Sequence, residues 1–364
     1  MTPLEELRRA GVSIWLDTLS RDLLERGAFA TMIAQQGVTG ATSNPTIFAK
    51  AIMGSDRYDA QVRAAVAVGL RDPRELFFEL ALEDVRRAAD LLRPAYEASG
   101  RRDGFASFEV TPDVADDTGA TVAQAVRLWD RLSRPNVMIK VPATEAGLPA
   151  IEALTARGVN VNVTLLFSLA RYEQVVDAYL AGLERRARRG EPLREIASVA
   201  SFFVSRIDSK VDPLLPDESN LRGRVAIANA RLAYARYRKR FDGERWRRLS
   251  TAGARPQRPL WASTGTKDPA YSDVLYVESL IAPGVINTMP QATLAAFADH
   301  GDARAFDPDS HEPSATLRRA ARAGVDLATV TAELEREGVL SFCDSYRDVL
   351  ACVETKLAAT AGAL

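Results

Sequence analysis

Apolar positions along this chain follow two periods, and the switch between them recurs from one end to the other. Period-two runs occur at VSIWLD (12–17), GVTGATS (37–43), GFASFEV (104–110), NVMIKV (136–141), GVNVNVT (158–164), ASVASFF (197–203), PLWAST (259–264) and GVINTM (284–289). Each predicts a strand. Helical periods lie between them. Val122, Ala125, Val126 and Trp129 fall at i, i+3, i+4 and i+7. Tyr172, Val175, Val176, Tyr179, Leu180 and Leu183 extend one stripe, and Val274, Val277 and Ile281 make a shorter one. Eight strands, each followed by a helix, predict an α/β fold: a closed parallel (β/α)8 TIM barrel. An open doubly wound sheet is the alternative, but no Gly-rich dinucleotide fingerprint is present.

A minimal barrel needs ~250 residues, so the chain carries roughly a hundred more. Added helices are expected at 55–100, after the second strand. A helix and an arginine-rich connection are expected at 214–258, before the seventh. The segment from 312 onward reads as C-terminal helices packing across the barrel. Nothing resembles a linker or a repeat, so residues 1–364 are expected to form one domain.

Alternation also sorts the strand residues by face. Ile14 and Leu16 face the helices, leaving Ser13, Trp15 and Asp17 inside. Ala106, Phe108 and Val110 face out, leaving Ser107 and Glu109 inside. Val159, Val161 and Val163 face out, while Asn160, Asn162 and Thr164 point in. Val137, Ile139 and Val141 form the apolar face of the fourth strand, and Lys140 lies on the other face with Pro142 ending the strand. A lysine there is costly unless paired or neutral. It reads either as a Schiff-base nucleophile or as a core-edge lysine paired with a carboxylate. Barrels gather reactive groups at the C-terminal ends of their strands, and four strands here end in Asp, Glu, Lys and Thr.

Composition narrows the chemistry. The net charge is −1, which argues against a nucleic-acid partner, although Arg236 to Arg258 holds nine basic residues against Asp242 and Glu244. That stretch reads as a solvated surface. The opening MTPLEELRRAG lacks a signal-peptide core, and no run approaches the ~18 apolar residues of a membrane span. A cytoplasmic home is expected. Cys343 and Cys352, nine apart on a predicted helix, face opposite sides, which disfavours a disulfide. The only histidines, His300 and His311, lie in a polar, loop-like stretch, so zinc sites, histidine triads and haem leave the list. His311 among Asp307, Asp309 and Glu312 reads as solvated loop. Asn162-Val163-Thr164 matches a glycosylation sequon but lies within a strand.

Lysine, carboxylates and hydroxyls therefore carry the chemistry. An amine attacks a carbonyl only when neutral, which asks that burial lower its pKa from ~10.4. A carboxylate must take the proton from a hydroxyl β to the imine so that the C–C bond breaks. Asp17 suits that role. A second acid/base group with a hydroxyl, Glu109 with Thr164, suits the water lost and regained. No metal or cofactor is needed, because the protonated imine is the electron sink. An anionic substrate would be held by Ser201 and Arg206, or by Ser263, Thr264, Gly265, Thr266 and Lys267 before a helix expected near Asp268.

LDTLSR (16–21), GVTGATSNPTIF (37–48), SFEV (107–110), MIKVPAT (138–144), NVTLLFS (162–168) and SFFVSRID (201–208) resemble the transaldolase family. The likeness continues through ASTGTKD and NTMP (287–290), and the length suggests the longer bacterial branch. It implies a class I aldolase-type barrel. The implied reaction moves a dihydroxyacetone unit from sedoheptulose 7-phosphate or fructose 6-phosphate to glyceraldehyde 3-phosphate or erythrose 4-phosphate, in the pentose phosphate pathway. It implies Lys140 as the Schiff-base lysine, Asp17 as the base, and Glu109 with Thr164 on the catalytic water. Asn44 and Asn162 would hold the three-carbon unit, Ser201 and Arg206 the substrate and phosphate, and Phe203 a pocket wall. Family members often have Ser-Phe-Arg after strand seven; here Ser263 and Lys267 stand two residues further apart, a point charge replacing a fork. Ser-Phe-Phe also replaces the commoner Ser-Pro-Phe at strand six.

An aldolase that cleaves fructose 6-phosphate without transfer is the nearest alternative, and Phe203, where that branch tends to carry tyrosine, favours transfer. A non-catalytic sugar-phosphate-binding barrel is the third reading. The chain is expected to act on small sugar phosphates, as a monomer or a homodimer, without nucleic acid or membrane.

Overall fold

A computed structural model describes residues 1–216 and 218–361. Asp217 and residues 362–364, which belong to the expected insertion and C-terminal segment, lie outside the described residues. Eight parallel strands close into a barrel in chain order: β1 (Ser13–Leu16), β2 (Val38–Ala41), β3 (Phe105–Glu109), β4 (Val137–Pro142), β5 (Val161–Leu166), β6 (Ser198–Phe203), β7 (Arg258–Ala262) and β8 (Ile286–Met289). Each coincides with an alternating run in the sequence. The ring closes by pairing of β1 with β8, Ser13 opposite Ile286 and Leu16 opposite Met289. Ile14, Val38, Val137, Ile139, Val141, Val161 and Val163 are all fully buried. A barrel wrapped by helices needs such runs, since neither strand face meets water.

The helices follow the strands. α1 (Pro3–Arg9) precedes the barrel, with Thr2 and Glu5 forming a capping box. α2 (Arg21–Glu25) and α3 (Ala28–Gln36) follow β1. α4 (Pro45–Met53), α5 (Asp59–Ala67) and the 26-residue α6 (Pro73–Ala98) follow β2. α7 (Thr118–Leu132), α8 (Gly147–Arg157) and α9 (Leu169–Arg188) follow β3, β4 and β5. α10 (Ser205–Val211), α11 (Val225–Arg240) and α12 (Glu244–Thr251) lie between β6 and β7, and α13 (Leu275–Glu278) follows β7. After β8 come α14 (Gln291–His300), α15 (Glu312–Arg322) and the 35-residue α16 (Leu327–Ala361). α16 runs against α4, α5, α6, α10 and the end of β5. Gly338 sits so close to Leu165 that a Cβ there would lie 2.8 Å from a Leu165 methyl. The three expected insertions are thus present as helices.

Several local expectations are revised. The buried face of α7 is Thr121, Ala125, Leu128 and Leu132, with Val122, Val126 and Trp129 only half-buried. The apolar spacing was shared by two adjacent stripes, and α6 and α8 flank the one through Leu128. The helix expected from Asp268 does not start there. Residues 268–274 are turns, and α13 is a single turn beginning at Leu275, although Val274, Val277 and Ile281 are buried as the spacing required. Gly158, with φ +91°, ends α8 rather than opening β5. Asn160 then latches the barrel floor: its NH2 donates to Pro135 O and Val137 O, and its Oδ1 accepts from Ala197 N–H at 2.9 Å. His300 closes α14, paired with Asp273 and Asp299.

The basic stretch before β7 is mostly satisfied within the chain. Arg236 pairs with Glu173, Arg238 with Asp309, Arg240 with Asp177, and Arg245 with Glu184. Among the described residues no cluster of His, Cys, Asp and Glu could hold a metal ion, and no helix is long and apolar enough to cross a membrane. Both cysteines are free, on α16.

Candidate active site

Strand register brings the reactive side chains into one row. Glu109 pairs with Lys140, and Lys140 with Asn162, so the three point to the same side of neighbouring strands. Lys140 Nζ lies 2.9 Å from Glu109 Oε2, and the two side chains are 6% and 3% exposed. The amine also donates to Ser43 O at 2.9 Å. Ser43 is held in turn, its hydroxyl donating to Ser107 O at 2.8 Å. Lys140 is therefore both carboxylate-paired and turned toward a cleft. Burial holds the Glu109 carboxyl above its usual range, and the Lys140 charge only partly opposes this. The Glu109 oxygens make no aligned hydrogen bond with another protein group, and neither does the buried Thr164 Oγ1.

Asp17 stands one residue beyond β1, where its N–H donates to Met289 O. Its Oδ1 accepts from Thr42 Oγ1 at 2.7 Å, and Thr42 shares a 2.8 Å hydroxyl contact with Thr288. Burial raises the Asp17 carboxyl above the usual range. The Thr42 bond and the charges of Lys140, Arg206 and Lys267 pull the other way. This balance suits a base that must also return a proton.

These groups meet in a cleft of about 420 Å³ at the C-terminal ends of the strands, a size suited to a small organic ligand. Asp17, Asn44, Lys140 and Thr164 line it, with Ser201, Phe203 and Arg206 from the β6 side and Ser263 and Lys267 from the β7 loop. Glu109 and Asn162 stand behind that wall. Asn162 is fully buried; its NH2 donates to Ser107 Oγ, and its Oδ1 accepts from Ser201 Oγ at 2.6 Å. Asn44 caps α4, its Oδ1 accepting from Ile47 N–H, so the NH2 is what it can offer the cleft. The Arg206 guanidinium stacks over Phe203, 5.2 Å from the ring centre, and burial lowers its pKa.

The anion seat expected at a helix start after β7 takes another form. Ser263 adopts φ +55°, and its hydroxyl and carbonyl both meet Ser205. Thr264 is fully buried, donating to Asn287 Oδ1 at 2.8 Å. Lys267 is exposed at the rim. With no helix at Asp268, the loop offers side-chain cations and hydroxyls rather than a helix terminus.

Several residues escaped the sequence reading. Thr42 follows β2 directly and Thr288 lies within β8, both inside motifs already singled out, so alternation could have found them. Lys50, on α4, and Ser341 and Phe342, on α16, also line the cleft. Helices bring these across the barrel mouth, and no strand pattern announces them.

Comparison with known proteins finds relatives along nearly the whole chain. Residues 14–353 match the family model described as Transaldolase/Fructose-6-phosphate aldolase. The chain is 50% identical to a transaldolase of Parafrankia sp. (strain EAN1pec) over 366 aligned positions, covering 99% of each protein. It is 51% identical to one of Thermobifida fusca over 365 positions, covering 98% of this chain and 99% of that one. A transaldolase of Mycolicibacterium smegmatis is 47% identical over 361 positions, covering 97% of each. The chain belongs to the transaldolase/fructose-6-phosphate aldolase family.

Proposed function

We propose that this enzyme, a transferase with transaldolase activity, works through an imine on Lys140. The observation that carries the reading is the buried amine at the cleft wall, 2.9 Å from a carboxylate whose burial favours protonation. Glu109 takes the ammonium proton, and the free amine attacks the ketose carbonyl of a sugar phosphate. The carbinolamine oxygen leaves as water, protonated by Glu109 with Thr164 beside it, and an iminium forms. Asp17 removes the proton of the hydroxyl β to the iminium carbon. The C–C bond then breaks, its electron pair passing into the iminium to give an enamine, and an aldose phosphate departs. The enamine attacks the carbonyl of the incoming aldose phosphate, Asp17 returns its proton to the new alkoxide, and water releases the product.

Substrate roles follow from position and chemistry. Arg206 and Lys267 supply positive charge for phosphate, with Ser263 beside them. Asn44 and Ser201 offer polar contacts to the three-carbon unit, Asn162 orients Ser201, and Phe203 walls the cleft. Dihydroxyacetone is the unit we expect to move.

Borohydride reduction with fructose 6-phosphate, followed by intact and peptide mass spectrometry, tests this. A three-carbon adduct on the peptide carrying Lys140 is expected. With folded protein and excess substrate, the lack of any adduct would remove the imine.

A further inference from the structure

The molecule has a second large cavity at the opposite, N-terminal end of the barrel, of about 910 Å³. First residues of strands build it: Ser13, Phe105, Ser198, Arg258 and Ile286. Trp15 and Met138, both at most 1% exposed, close its floor, so it is a bowl and not a passage to the active site.

Five arginines line the bowl, Arg101, Arg102, Arg194, Arg255 and Arg258, against the single carboxylate of Asp103. Asp103 is already committed, accepting from Trp15 Nε1 and Thr39 Oγ1 at 2.8 Å and from Gly104 N–H at 3.0 Å. Arg258 donates to Gly284 O and Val285 O, and Arg255 to Gly100 O, contacts that aim the guanidiniums without neutralising them. Arg101 meets Glu97 only at 3.9 Å. Arg102 and Arg194 are exposed, and their side chains make no hydrogen bond or ion pair among the described residues. Burial first, and then the like charges of Arg102 and Arg101, pull the Arg255 guanidinium below its ordinary range. The chain as a whole carries −1, so this concentration of positive charge is local. A multiply charged anion relieves the repulsion, and planar guanidiniums suit phosphate oxygens.

We propose that this bowl binds a polyphosphate group, carried by a nucleoside triphosphate or by a short inorganic polyphosphate. The site is separate from the active site and does not rest on the imine chemistry.

Calorimetric titration of the full chain with ATP, and separately with tripolyphosphate, tests it. Saturable binding of at least one probe, one per chain and weakened by added salt, is expected. Tighter ATP indicates a nucleotide site, and equal affinity indicates that the phosphates suffice. Arg102→Glu with Arg194→Glu should weaken binding at least about tenfold while the transfer rate and circular dichroism stay unchanged. Arg102→Gln alone should give a smaller loss in the same direction. Arg206→Ala should leave binding intact. Two results overturn the proposal: no saturable binding of either probe below about 1 mM, or binding lost with Arg206→Ala but kept in the Arg102/Arg194 pair, which would put the anion in the catalytic cleft.

Discussion

Asp208 offers a stability test with an unusual sign. It lies on α10, two residues beyond Arg206, and is 1% exposed. Its Oδ1 accepts from Ala226 N–H at 2.8 Å and its Oδ2 from the Tyr276 hydroxyl at 3.0 Å. Burial, with the Asp212 carboxylate adding in the same direction, pushes its pKa from 3.8 up to about 7. A group whose folded-state pKa is raised binds its proton more tightly in the fold than in the unfolded chain. Its contribution is therefore complete below pH 4 and is lost as pH rises through about 7. The gap spans roughly three powers of ten in proton affinity, at about 1.4 kcal/mol each, or about 4 kcal/mol. Asp208→Asn stays neutral at every pH and keeps the acceptor for Ala226. The variant should thus gain on the parent by about 4 kcal/mol between pH 4 and pH 8. Urea unfolding of both proteins, followed by tryptophan fluorescence at each pH unit, measures this. Asp17, Glu109 and Asp84, also raised by burial, are common to both proteins and cancel in the difference. A difference that stays flat within about 1 kcal/mol across that range would refute the reasoning.

Three further outcomes are expected. Asp17→Asn should still give the borohydride adduct of the intact ketose while transfer falls on the order of 10²–10⁴-fold, measured as coupled turnover; normal turnover would move the base elsewhere. Thr42→Val removes a bond that favours the ionised Asp17 and leaves its burial in place, so the acid limb of the kcat/KM profile should move to higher pH. An unmoved limb would separate that bond from catalysis. Gly104→Ala should destabilise by about 2–5 kcal/mol, because φ is +87° and the new Cβ would lie 2.3 Å from the Tyr96 backbone nitrogen. Denaturation midpoints of the variant and parent decide it.

The barrel was legible because parallel strands buried on both faces must alternate or run apolar, and the eight segments do. The same alternation gathered Asp17, Lys140 and Thr164 at one end, since side chains two apart share a face. What stayed hidden depends on neighbours distant in sequence. The buried Arg21–Asp84 pair, joined by Tyr58, links the first residue of α2 to α6 across 63 residues. In the sequence Arg21 stands only as the last residue of LDTLSR, with nothing to point to Asp84. Which stripe of α7 is buried depends on β4, α6 and α8 packed around it, which its own spacing does not encode. The Lys267 loop misled because Ser, Thr and Asp before an apolar stretch signal a helix cap. Here those hydroxyls are spent on β8 and on the loop itself, Thr264 on Asn287 and Thr266 on Ser272.

The place of α16 along the chain bears on how activity arises during synthesis. All eight strands, and with them Lys140, Asp17 and Glu109, emerge before the helix that supplies Ser341 and Phe342 to the cleft. At ~5–20 residues per second, a ribosome needs roughly 2–7 seconds to make those 35 residues. During that interval the barrel mouth lacks the two side chains that α16 contributes to it.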